Sequence, residues 1–324
     1  PHTQLPVEQL FQGRSLEFLA ERRAVGALFV SLQIILAVWL LRRLFGWPVA
    51  LLAAILLGLD PFSLTEARLL RLEMISAYFV CLTILTYLIY LRWRRRRWVI
   101  ISGVMAGLGV SSKTSAGLIV PYIWLLLLLD LLLTRQPTIH PSNQPSYLST
   151  RPFKRVIGDG LLWAAGAISA FWLIWPAMWV KPLAAIGHIY QTGFAQAADR
   201  SVWGDKVFFW GHIFPGDPGP FFYPVVLAFR TTPLTWLGVA GALIMVTNAM
   251  LTLKRSGSKQ PLPWMVVGTL LLLAYVVLMI VELSFVISKV DRFLLIVFPV
   301  LNIITAIGLA ALLGWIVDGL GRRF

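Results

Sequence analysis

Apolar residues come in long blocks along this chain, at roughly 24–41, 46–59, 69–91, 98–112, 117–133, 161–180, 234–253, 264–286 and 293–317. Short polar or charged stretches separate them. About 20 apolar residues carry a helix across a bilayer, so the blocks predict about nine transmembrane helices. Blocks 46–59 and 98–112 are short. Each is bounded by charge, and a thinned bilayer or a neighbouring helix accommodates such a span. Uninterrupted runs of this kind exclude the short alternating segments of a membrane β-barrel. One stretch departs from the pattern: GHIFPGDPGPFFYPVVLAFRTTP, 211–233, is rich in proline and glycine and carries His212, Asp217 and Arg230 beside apolar spans. Irregular backbone near a membrane is tolerated where protein buries it or where it lines a wet cavity, so one of these two settings is expected for this stretch.

Composition agrees with the block pattern. The 324 residues are 58% hydrophobic and 13% charged, against about 25% charged in a soluble domain. The predicted fold class is an all-α polytopic membrane protein. A net charge of +14 raises the question of nucleic acid, but the basic residues lie between apolar blocks rather than on a solvated face. Membrane lipids with anionic headgroups are the partners that this arrangement fits. Cys81 is the single cysteine and lies inside an apolar block, which excludes a disulfide framework or a cysteine-built metal site. Residues 1–23 are polar and amphipathic, start with Pro1 and hold no signal-peptide core, so further chain is expected upstream.

Charge also sets an expected orientation. With residues 1–23 outside, the inner segments hold Arg42, Arg43, the run RWRRRRW (92–98), Arg135, Arg151, Lys154, Arg155, Lys254, Arg255, Lys259, Arg322 and Arg323. Most acidic residues then fall outside. The expected layout is an extracytoplasmic amphipathic segment, 1–23, ahead of a transmembrane domain, 24–324, with an outer loop 181–233 and a flexible cytoplasmic loop 134–158. A bacterial cytoplasmic membrane is the expected location, with the C-terminus cytoplasmic. The run RWRRRRW reads as a stop-transfer anchor flanked by interfacial tryptophans.

Candidate chemistry concentrates on the outer side. In DPFSLTEARLLRLE, 60–73, Asp60-Pro61 stops one helix and Ser63 or Thr65 can cap the next. Glu66 and Glu73, seven residues apart, are expected to share a helix face, with Arg68 and Arg71 as a basic pair. A carboxylate at membrane depth points to function or to a buried ion pair. SSKTS, 111–115, puts Lys113 at a helix end, and SKVDRF, 288–293, offers Lys289 and Arg292 as two cations for a phosphate, with Asp291 between them. The four histidines are scattered, and neither a zinc motif nor a P-loop is present.

In order along the chain, RLFGWPVALLAAILLGLDPFSLTEARLLRLEMISAYFVCLTILTYLIYL, ISGVMAGLGVSSKTSAGLIVPY, IWPAMWVKPL, FFWGHIFPGDPGPFFYPVVLAFRTTPLTWLG and SKVDRFLLIVFPVL resemble the family 39 glycosyltransferases. These are membrane enzymes of the GT-C fold that include protein O-mannosyltransferases and the lipid A aminoarabinose transferase. The resemblance implies transfer of a sugar from a polyprenyl-phosphate carrier to a hydroxyl acceptor at the outer face. It implies a lipid-linked sugar donor as substrate, and leaves a divalent cation open. Lys289 and Arg292 match the family's basic turn, Lys113 its lysine element, and Glu73 stands where relatives carry an aspartate. Asp217, Tyr223, Arg230 and Asp291 fall among the substrate-binding positions. The family's catalytic carboxylate lies in a first outer loop, which places it upstream of Pro1; within the chain, Glu8 and Glu73 are the candidates. Two further readings stand beside the transferase: a non-catalytic subunit of a membrane complex, in contact with other membrane proteins, and a lipid or solute transporter.

Overall fold

The computed structural model describes residues 15–68, 72–133, 153–198, 207–214, 217–256, 261–286 and 289–321. Apart from one short hairpin, the regular elements there are helical: α1 (Ser15–Phe45), α2 (Trp47–Leu59), α3 (Pro61–Ala67), α4 (Glu73–Trp93), α5 (Arg97–Ser112), α6 (Ile119–Leu133), α7 (Phe153–Ile174), α8 (Ala177–Val180) and α9 (Pro182–Ala198). Strands β1 (Val207–Phe209) and β2 (His212–Phe214) follow, then α10 (Phe222–Arg230), α11 (Pro233–Ser256), α12 (Trp264–Phe285) and α13 (Phe298–Gly321). Two 3-10 turns, Thr114–Leu118 and Asp291–Ile296, lead into α6 and α13.

Each predicted block returns as a helix, but the number of full-length spans is smaller than nine. Among the described residues, seven helices are long and apolar enough to cross a membrane, or eight if α2 and α3, bent by 51°, form one span. The remaining block, α5, has 16 residues, about 24 Å at 1.5 Å per residue, short of a ~30 Å hydrocarbon core. The protein is an integral membrane protein with multiple spans.

Helix α4 is the centre of the bundle. Almost every residue from Met74 to Leu91 is buried, as expected of a helix that is apolar all round. Within the helix Thr83 and Thr86 donate to the carbonyls of Phe79 and Leu82, while Ser76, Tyr78 and Tyr90 donate to Gly109, Leu57 and Asp159 on neighbouring elements. Helices α1 and α5 pack along it, and the 3-10 turn Asp291–Ile296 crosses its Glu73 end.

Two helix pairs meet at glycines. A Cβ on Gly103 of α5 would stand 2.1 Å from the Trp163 carbonyl oxygen of α7, and one on Gly107 would stand 2.2 Å from that of Ala167. The same close approach joins α11 to α13, where Gly308 faces the Gly238 carbonyl. Small residues let membrane helices approach closely enough for extensive van der Waals contact, and this seats the short α5 against a full-length neighbour.

Four expectations change. Glu66 and Glu73 do not share a helix, because α3 ends at Ala67 and α4 begins at Glu73. The predicted span 161–180 is shifted to Phe153–Ile174; Pro176, which has no N–H to donate, lies just past its end. That shift makes the last residues of the expected loop 134–158 helical. The first helix reaches back to Ser15, so the C-terminal part of the expected separate segment 1–23 is continuous with the first span. Arg71, His140 and most of loop 134–158 lie outside the described residues, as does Glu8.

Candidate active site

Four breaks in helical structure converge at the Glu73 end of α4. At the first, Asp60 adopts extended backbone (φ −62°, ψ 118°) and its side chain accepts from the Ser63 N–H at 2.8 Å. The cap and Pro61 at the first helical position start α3 on a new axis. At the second, Lys113 leaves α5 in extended conformation (φ −157°) and projects its ammonium back toward Glu73. The third is Asp217-Pro218-Gly219-Pro220. Gly219 sits at φ +95°, the left-handed position a turn with proline before it requires, and the Asp217 carboxylate accepts the Gly219 N–H at 2.8 Å. The fourth is the 3-10 turn opened by Asp291, whose carboxylate accepts the Arg292 N–H at 2.8 Å.

These breaks bring the predicted residues into two adjoining groups. In the first, Glu73 receives Lys113 Nζ at 2.7 Å and Arg292 Nε at 3.5 Å, and Lys113 stands 5.1 Å over the Phe293 ring. In the second, Lys289 Nζ donates to Asp217 at 2.6 Å and Arg230 to Asp291 at 2.5 Å. Tyr223 joins this group through its hydroxyl, which accepts the Val290 N–H at 3.3 Å. Burial pushes the Tyr223 hydroxyl well above its ordinary pKa, so it is a neutral strut. Peptide continuity from Asp291 to Arg292 couples the two groups. Together they set four cations against three carboxylates.

Beside the second group opens a cleft of about 880 Å³. Lys289, Arg230 and Asp291 form its polar edge, while Phe208, Trp210 and Phe229 are among its apolar walls. Lys289 is 3% exposed, its charge held by Asp217, whereas the Arg230 side chain is 50% exposed and lies over the Phe62 ring at 5.1 Å. Such an edge against such walls can hold an anionic head attached to an apolar tail.

The sequence paired Lys289 with Arg292 as one phosphate grip. In the structure Lys289 lines the cleft with Arg230, and Arg292 turns to Glu73. The stretch 211–233 singled out in the sequence supplies α10 to the cleft, whereas the hairpin of β1 and β2 beside it was missed. Its signal was local: VFFWGHIF repeats apolar residues around Trp210-Gly211, and both turn residues take positive φ (55° and 81°), as a two-residue hairpin loop demands. Among the described residues, no three of His, Cys, Asp and Glu gather into a group that could hold a metal.

Residues 19–141 match the family described as dolichyl-phosphate-mannose-protein mannosyltransferase. Among solved structures, ArnT from Cupriavidus metallidurans in the apo state superimposes with a TM-score of 0.52 at 16% identity, over 89% of this chain and 45% of that one. The fold is GT-C. The same transferase bound to undecaprenyl phosphate matches with a TM-score of 0.52 at 15% identity, over 89% and 46%. This chain therefore spans less than half the length of the GT-C structures it matches. No curated protein matches it significantly. The family match begins within α1 and runs past α6, so it includes the bent pair α2–α3 and the Glu73–Lys113 side of the site.

Proposed function

We propose that the cleft receives a polyprenyl-phosphate sugar, and that the protein acts in transfer of that sugar to a hydroxyl acceptor. The observation that carries the reading is the placement of Lys289 and Arg230 at the edge of an apolar cleft. An isoprenoid phosphate needs that combination. The bound undecaprenyl phosphate of the C. metallidurans enzyme supports a lipid of this class. Arg230, the more exposed cation, meets the phosphate directly, and Lys289 supplies fixed positive charge from beneath it. As the carbon–oxygen bond to the sugar breaks, negative charge grows on the leaving phosphate, and pre-positioned cations stabilise it. Arg292 and Lys113, held by Glu73, position the turn that carries Asp291.

Proton removal from the acceptor is not assigned to Glu73, because two cations already hold its carboxylate. The same holds for Asp217 and Asp291, each engaged by a cation and by a backbone N–H. This engagement favours one second reading, that of a carrier-binding subunit working beside a catalytic partner. In both readings the site faces the extracytoplasmic side.

Arg230→Ala tests the placement of the phosphate. A hydrogen bond to a charged group contributes about 1.5–3 kcal/mol, so affinity of the purified protein for undecaprenyl phosphate should fall roughly tenfold or more while the unfolding midpoint barely moves. Unchanged affinity would remove the phosphate from this cleft. Sugar transfer by wild-type protein alone, with a polyprenyl-phosphate sugar supplied, separates the catalytic reading from the subunit reading.

A further inference from the structure

At the opposite end of α4, some 30 Å from Glu73 at 1.5 Å per residue, lies a second charged concavity that the sugar-transfer reading does not use. It has a volume of about 320 Å³ and is lined by Arg43, Ile89, Trp93, Arg95, Arg97 and Trp98. We propose that it is a binding site for the phosphodiester headgroup of an anionic phospholipid.

The run Arg92–Arg97 is divided by its structure into two kinds of arginine. Arg94 pairs with Asp130 at 2.7 Å and Arg96 with Asp159 at 2.8 Å, both carboxylates being buried. Tyr90 also donates to Asp159, at 2.6 Å. Arg92 donates to the carbonyls of Arg43 and Leu44 at the end of α1. These contacts fix the backbone of the run against α1, α6 and α7. The left-handed Arg94 (φ 57°) turns the chain between α4 and α5. Arg95 and Arg97 then face the concavity together with Arg43 from α1. Among the described residues, no carboxylate lies within ion-pair distance of these three.

Three guanidinium groups on one concavity form a preset receptor for a phosphodiester, because the planar guanidinium donates two parallel hydrogen bonds to phosphate oxygens. The surrounding surface selects a lipid over a free anion. Arg43 stacks on Trp39 at 3.9 Å and Arg97 on Trp98 at 5.8 Å. Trp39 and Trp98 meet at 6.2 Å, and Trp93 is 42% exposed. Tryptophans at the end of a span mark the headgroup level of a bilayer. Acyl chains entering beside Trp39 would run along the exposed apolar flank of α1, past Leu36, Leu32 and Leu28. Basic pockets between membrane helices bind anionic headgroups in this manner.

Native mass spectrometry of the full chain, exchanged into mild detergent with dioleoylphosphatidylglycerol or dioleoylphosphatidylcholine, tests the site. The wild type should retain phosphatidylglycerol in preference. Arg95→Ala/Arg97→Ala leaves both buried ion pairs intact and should weaken retention by about tenfold or more, since each basic group near a lipid surface is worth on the order of fivefold. Arg42→Ala serves as the control. That arginine stacks on Trp47 outside the concavity, and its loss should leave retention unchanged. Circular dichroism establishes that each variant is folded, and Arg95→Lys/Arg97→Lys should restore part of the retention. Equal retention by the double alanine variant, or equal retention of phosphatidylcholine by the wild type, overturns the proposal. Protection from thermal unfolding by millimolar inorganic phosphate equal to that by phosphatidylglycerol would make this a free-anion site and overturn it as well.

Discussion

Glu73 shows how one carboxylate is used near a membrane surface. Its side chain is mostly buried, as are those of Lys113 and Arg292, and the three form one charge group across α4, α5 and the turn before α13. Removing one member of a buried ion group costs about 3–5 kcal/mol; here residual exposure discounts this to about 1–3 kcal/mol. Lys113→Met should therefore lower the thermal unfolding midpoint in detergent, and adding Glu73→Leu should recover part of the loss. If the double variant is no more stable than the single one, the ion group is not what couples α4 to α5 there. Lys113, Glu73, Lys289 and Arg292 were legible in the sequence because a charge beside an apolar block is conspicuous. Their pairing was not. Glu73 and Lys113 are separated by 40 residues, and Lys289 and Asp217 by 72; spacing along one helix says nothing about partners on different elements. Glu66 and Glu73 illustrate the error directly: a seven-residue spacing implies a common face only if the helix is unbroken.

At the scale of elements, periodicity found the helices and missed their lengths and bends. Long apolar blocks identified each span, since no other element satisfies its backbone groups in lipid. Where a helix ends depends on caps and turns such as Asp60-Pro61, whose 51° bend leaves no trace in hydropathy. How helices pack depends on a few small residues. Gly103 and Gly107 are spaced for one helix face, and the α5–α7 contact leaves no room for a side chain. Gly103→Leu should abolish folded, detergent-extractable protein, whereas Gly58→Ala, in a helix with nothing within 4 Å of the new methyl group, should be neutral or stabilising by up to about 1 kcal/mol. Yield and monodispersity on size exclusion distinguish the two outcomes. A monodisperse Gly103→Leu protein would mean that α5 and α7 separate more readily than their contact implies.

For the whole molecule, the expected orientation makes a sharp prediction. Cys81 is buried at the centre of the bundle, so the natural chain should not react with a membrane-impermeant maleimide while folded. It supplies its own background for single-cysteine reporters. Phe221→Cys, at a site 73% exposed beside the cleft, should label from outside intact cells. Ser256→Cys, at the far end of α11, should label only after permeabilisation. The reverse pattern would place the cleft on the cytoplasmic side and remove the outer-leaflet donor from consideration. The distribution of basic residues was readable from the sequence. The cleft was legible only in part: 211–233 stood out as irregular, but another wall is a hairpin, 207–214, whose role exists only once α10 is packed beneath it through Phe209 and Phe222.

The divided arginine run also has a dimension in time. A chain emerging during synthesis presents Arg92 through Arg97 before Asp130 and Asp159 have been made, since Asp159 lies 63 residues beyond its partner Arg96. The insertion machinery therefore meets five guanidinium groups at full strength, whereas in the finished protein carboxylates hold two of them. When α6 and α7 arrive, their carboxylates neutralise Arg94 and Arg96 and convert a steering signal into a fastening. Orientation is settled first and rigidity afterwards, by the same side chains.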